Sequence, residues 1–172
     1  MCYFLTVSVP EPYGIWFVRS MKPGYCLTVS GNRSLSSLLP EGHKSFYVTQ
    51  GMCSCPLYRR LYDPEEHTEK IRKKYAKRGW TNAKIERSLA ERAKNRRHGF
   101  MGLHPELRYV LAQTADVTEQ ISLLVHWYSG SPDEENVEPV SQSSINADEL
   151  IRNDRAVAED HLLTVKSRNT QK

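Results

Sequence analysis

Two cysteines separated by one serine, Cys53-Ser54-Cys55 in the stretch GMCSCPLYRR, have the clearest capacity for chemistry in this chain. A thiolate is a soft metal ligand, a nucleophile and half of a disulfide, so the pair admits three uses. Cys2 and Cys26 complete the set of 4 cysteines, and His126 in LLVHWY offers an imidazole. As a metal site, Cys2, Cys26, Cys53, Cys55 and His126 would suit zinc, which takes four such ligands in a tetrahedron. Paired zinc cysteines usually have two to four residues between them, so a single intervening serine wraps a metal less readily. As a catalytic site, Cys2, Cys53 or Cys55 would be the working thiol and His126 a base. Removal of Met1 would place the α-amine beside the Cys2 thiol, as in N-terminal-nucleophile hydrolases. As a redox site, Cys53 and Cys55 would form a strained pair, or either would join Cys2. Against all three stands packing, because free cysteines behave as small hydrophobes and an imidazole in an apolar strand is ordinarily a core residue.

The second feature is electrostatic. Residues 56–109 carry 15 Lys and Arg against 7 Asp and Glu, whereas residues 131–172 carry 5 against 9. Within the basic region, KIRKKYAKRGW and KIERSLAERAKNRR interleave cations with Tyr75 and Trp80. Phosphate backbones bind such charge by counterion release, and exposed aromatic rings stack on unpaired bases. Arg59, Arg60, Lys70, Lys73, Lys74, Lys77, Arg78, Trp80, Arg96 and Arg97 are the candidate contacts for nucleic acid or an acidic protein. Glu65, Glu66, Glu69, Glu86 and Glu91 lie among them, which also fits an ordinary solvated helix surface.

The elements that must position these residues follow from periodicity and punctuation. CYFLTVSV (2–9) alternates as a strand and stops at Pro10 and Pro12, and YGIWFVRSMK (13–22) is assigned to a short helix. Strands are expected over 25–30 and 44–50, separated by a Ser-rich loop. Asp63-Pro64-Glu65-Glu66 opens a helix of about 64–77 that Gly79 closes, and Thr81 caps a second with a thin apolar stripe of Ile85, Leu89 and Ala93. HPELRYVLAQT (104–114) reads as a core helix and QISLLVHWYSG (120–130) as the last strand. Beyond Pro132 the sequence reads as acidic, Ser-rich and largely flexible, with a weak helix near NADELIRNDRAVAEDHLL.

That order predicts an α+β fold: a ferredoxin-like βαββαβ sandwich with an antiparallel sheet over 1–130, a basic helical hairpin inserted at about 63–98, and an acidic tail over 131–172. Its topology would gather all four cysteines and His126 at one sheet edge. The chain's 172 residues, 39% of them hydrophobic, suffice for one core. The absence of an apolar run of about 18 residues argues against a helical span, and no leader pattern is evident, so the expected setting is cytoplasmic. The opening Met1-Cys2-Tyr3 with FYVTQGMCSCPLY resembles small uncharacterised bacterial proteins that begin Met-Cys-Tyr and place Cys-Ser-Cys after a strand. The resemblance covers the first 60 residues and implies no activity. The sequence favours a binding module that uses the basic arm, with a cysteine-dependent enzyme or a redox or zinc protein as the alternative.

Overall fold

In the computed structural model, which describes residues 2–60, 69, 72–73, 75–77, 79–95, 101–153 and 156–170, the alternating opening becomes β1 (Cys2–Pro10). Leu5, Val7 and Val9 are fully buried on one side of it. Helix α1 (Gly14–Ser20) follows, then β2 (Cys26–Val29), α2 (Arg33–Leu38) and β3 (His43–Thr49). A short ribbon of β4 (Tyr58–Arg60) with β5 (Met101–Leu103) bounds the basic region, in which α3 (Asn82–Asn95) lies. The chain then forms α4 (Pro105–Thr118), β6 (Gln120–Tyr128), β7 (Ser141–Asn146), α5 (Ala147–Arg152) and β8 (His161–Lys166). It divides into two compact units, Met1–Arg59 with Gly102–Lys172, and Arg60–Met101.

The first unit is α+β. Its six-stranded sheet has the order β2-β3-β1-β6-β8-β7, antiparallel except where β7 runs parallel to β8. Opposed residues in an antiparallel ladder share a face. Leu5 opposite Val48 and Val125, and Val7 opposite Phe46 and Leu123, therefore form one apolar face. Phe17 of α1 packs on Phe46 at 5.5 Å between ring centroids, and α4 runs against β6 and β8. Helix α4 holds α5 in turn: the buried Arg108 donates from Nη1 to the Ile151 carbonyl at 2.6 Å, satisfying an end-of-helix oxygen.

The opposite face is also covered. Leu35, Tyr47, Leu124, Tyr128 and Val137 form a second cluster, with Phe4, Leu39 and Leu162 packed against it. Its cover is α2 and the segment between β6 and β7, and both depart from the sequence reading. Residues 33–38 read as loop because only Leu35 of that helix is buried, but Asn32 caps it by accepting from the Leu35 amide. Residues 131–172, expected as a largely flexible tail, carry β7, α5 and β8. β7 lies at the sheet edge with four consecutive exposed residues, so it has no hydrophobic period to betray it. The weak helix expected near 146–163 is in fact the six-residue α5 followed by β8, whose Leu163 and Val165 are buried.

The second unit has a core of its own. Tyr75 and Trp80 stack at 4.3 Å and 10°, and Tyr75, Ile85 and Leu89 are buried together. Gly79, at φ +76°, ends the preceding helical turn, with its own amide on the Ala76 carbonyl and the Trp80 amide on that of Tyr75. This pair of hydrogen bonds around a left-handed residue is the usual glycine stop. Most of the expected helix 64–77 lies outside the described residues. Among the described residues, no helix is long and apolar enough to cross a membrane.

Candidate metal centre

β3 and β1 pair as far as Leu5 and Val48, and beyond that point β3 must turn away. Gly51 makes the turn: its φ of +78° is readily adopted only by glycine, and Met52 at the tip is 95% exposed. The Gln50 amide closes the turn on the Cys53 carbonyl at 3.0 Å. The chain then re-enters the sheet through Ser54, which is fully buried and takes over the hydrogen bonding that β3 has left. Its amide donates to the Tyr3 carbonyl at 2.9 Å, its Oγ accepts from the Leu5 amide at 2.7 Å, and its hydroxyl donates to the Val48 carbonyl. Cys55 then opens a 3-10 turn, Cys55–Leu57, that includes Pro56 and ends in the buried Leu57.

Ser54 therefore holds its two flanking cysteines against the start of β1. The Sγ atoms of Cys2, Cys53 and Cys55 all lie within 4.8 Å of one another, as free and half-buried thiols. Sulfurs bound to tetrahedral zinc at about 2.3 Å stand about 3.8 Å apart. The three need close by no more than about 1 Å to reach that spacing.

The surroundings shift the Cys53 and Cys55 thiols in opposite directions. Burial raises the Cys53 thiol, but hydrogen bonds from the Cys55 backbone and from the Cys55 and Cys2 side chains outweigh it and lower its pKa. Cys55 is pushed up to about 12, by burial first and then by its hydrogen bond to Cys53 and the negative charge on Cys53 and Cys2. The Tyr58 hydroxyl is raised too, by burial and by Cys55. Three thiolates repel one another at this range unless a cation sits among them, and a bound divalent ion would reverse the sign of the interaction.

The other expected residues of this edge stand apart. Cys26 is exposed and faces Thr49 in the β2–β3 ladder. β3 lies between β2 and β1, so Cys26 is two strands from Cys2, roughly 10 Å at the usual strand spacing. His126 faces Phe4 across the ladder and falls outside the sulfur cluster. Its Nδ1 is hydrogen-bonded to the Asp160 carboxylate, its Nε2 lies 3.7 Å from Glu135 Oε1, and its ring meets Tyr128 edge to face at 4.7 Å. Its carboxylate partners come from beyond residue 130, a stretch whose sequence gave no sign of joining the sheet.

No protein-family model, curated protein or solved structure matches this chain.

The basic candidates divide by what is described. Lys73 and Lys77 are exposed. Trp80 is half-buried in its stack with Tyr75, and Lys84 Nζ lies 4.3 Å from its ring centroid. The stack occupies one face of the Trp80 ring that base stacking would otherwise use. Arg72 is held by Glu69 at 2.9 Å and Glu86 at 2.8 Å, as helix-surface ion pairs. Arg59 and Arg60 belong to β4, while Lys70, Lys74, Arg78, Arg96 and Arg97 lie outside the described residues.

Proposed function

We propose that this chain binds a thiophilic divalent cation, zinc in the first instance, through Cys2, Cys53 and Cys55. The observation that carries the reading is the approach of three thiols from two distant segments to within 4.8 Å. The buried Ser54 that holds them there supports a preformed site. A ligand role suits the trio better than a nucleophilic one, since the His126 imidazole lies outside the sulfur cluster, where it cannot serve as a base to these thiols. The fold around it is read as ferredoxin-like: β2-β3-β1-β6, all antiparallel, is the strand order that a βαββαβ chain produces. Free thiols fit a reducing, cytoplasmic setting.

The test is metal content of the reduced protein purified without chelator. About one zinc per chain is expected, with affinity on the order of 100-fold weaker in Cys53→Ser because one of the thiolates is lost. Cys26→Ser should bind as the parent does. No metal in the parent, or equal loss in both variants, would sink the reading.

A second reading is favoured by the exposed Lys73 and Lys77 in the basic unit: that unit binds nucleic acid or an acidic protein. Electrostatic binding of this kind is salt-dependent. Lys73→Glu with Lys77→Glu should weaken binding to single-stranded nucleic acid by roughly tenfold or more at low salt and flatten its salt dependence, leaving zinc content unchanged. Equal binding by parent and variant at every salt concentration would remove this surface from consideration.

A further inference from the structure

We propose that the cysteine edge is also a modification site, in which a hydroperoxide links Cys2 to Cys53 or Cys55 by a disulfide across the sheet edge, expelling a bound cation. The expulsion rests on the metal reading above; the disulfide rests on the geometry alone.

Three sulfurs within 4.8 Å allow three pairings. The pairing of Cys53 with Cys55 is the least favourable. It closes a ring across Ser54, whose backbone is helical (φ −89°, ψ −1°) and whose amide and hydroxyl are committed to Tyr3, Leu5 and Val48. Twisting Ser54 to bring its neighbours together would break bonds that bury three backbone groups. Cys2 needs no such twist. The Ser54 amide bonds to Tyr3, so the loop lies one ladder spacing from β1, about 4.8 Å, and disulfides span Cα atoms 4.4–6.8 Å apart. The cluster is reachable: its three cysteines are half-buried, and Cys53 and Cys55 follow the exposed tip Gly51-Met52. Cys26 stands outside it and serves as an internal control.

The chemistry balances as follows. One thiolate attacks the distal oxygen of the hydroperoxide, the O–O bond breaks, and the alkoxide leaves and takes a proton, giving a sulfenic acid. The second thiolate attacks that sulfur and hydroxide leaves, taking a proton to become water. Two electrons pass from the sulfur pair to the peroxide, one S–S bond forms, and two ligands disappear together. The remaining thiol cannot hold zinc alone.

The experiment treats zinc-loaded full-length protein with excess hydrogen peroxide, reads free zinc with a chromogenic chelator, and maps disulfides by mass spectrometry without reduction. Expected is release of all the bound zinc together with a peptide pair joining Cys2 to the Cys53–Cys55 segment, reversed by dithiothreitol. Cys26→Ser should behave identically, and Cys2→Ser should yield no cross-link. A disulfide confined to Cys53 and Cys55, or intact thiols with retained zinc, would overturn the proposal. If the protein carries no zinc at the start, the metal reading fails, and the peptide map of the oxidised apoprotein still decides the disulfide.

Discussion

Replacing Ser54 with alanine is expected to destabilise the first unit by roughly 3 kcal/mol, a fall in Tm of about 10 °C, and to weaken the cation site in the same step. The side chain is small, so little packing is lost. What is lost is the hydroxyl that serves the Leu5 amide and the Val48 carbonyl at the point where β3 parts from β1. Both groups are buried, and each stranded one costs about 1–3 kcal/mol. Thermal unfolding of the apoprotein measures the first effect. Zinc titration well below the new Tm measures the second, since Ser54 ties the segment carrying Cys53 and Cys55 to the start of β1. Ser37→Ala is the control, because that hydroxyl is exposed and donates to the nearby Ser34 carbonyl within the same short helix; a change within about 0.5 kcal/mol is expected there. A Ser54→Ala protein as stable as Ser37→Ala would show that the re-entry of the chain does not depend on this hydroxyl.

Ser54 also illustrates what sequence could and could not disclose. The strand period of residues 2–9, the turn after residue 50 and the antiparallel order placed Cys2 beside Cys53 and Cys55, because those features are local or topological. The serine between the cysteines gave no signal, since a buried hydroxyl that replaces a strand ladder looks like any loop serine. Cys26 starts β2 at the same end of the sheet but two strands from Cys2, a distance the sequence does not disclose, because topology gives the end of a sheet and not the number of strands between two residues. The edge strand β7, exposed along most of its length, and the short α2, with one buried side chain, lacked the apolar spacing that reveals an element. Missing them hid the second face of the sheet, and with it the carboxylates that engage His126. In the basic unit the helix stop at Gly79 was legible from its type and place, whereas the use of Tyr75 and Trp80 on each other was not, because an aromatic among lysines has the same sequence signature whether it is buried or free.

The cover on that second face turns on Asn32, whose loss is expected to cost as much as that of Ser54. Asn32 is 2% exposed. Its Oδ1 accepts from the Leu35 amide at 3.2 Å and the Ser34 hydroxyl at 2.6 Å, capping α2. Its Nδ2 donates to the Pro132 carbonyl at 2.6 Å and the Glu135 carbonyl at 2.8 Å, pinning the segment that carries Val137 over Tyr128 and Leu124. Asn32→Ala removes the cap, worth about 1 kcal/mol, and leaves two carbonyls short of a donor, for a total of roughly 3–4 kcal/mol. Asn32→Asp separates the two roles. Aspartate caps as well as asparagine, so an asparagine acting only as a cap would be replaced at almost no cost. A carboxylate has no N–H to offer and would set negative charge against two carbonyl oxygens, so Asn32→Asp should be no more stable than Asn32→Ala near neutral pH. Denaturant midpoints of the two variants decide the matter: near-parental stability in Asn32→Asp would mean that the 131–140 segment is held by its apolar contacts and by Asp133, which bonds the Gly31 amide and the Tyr47 hydroxyl, without need of the amide of Asn32.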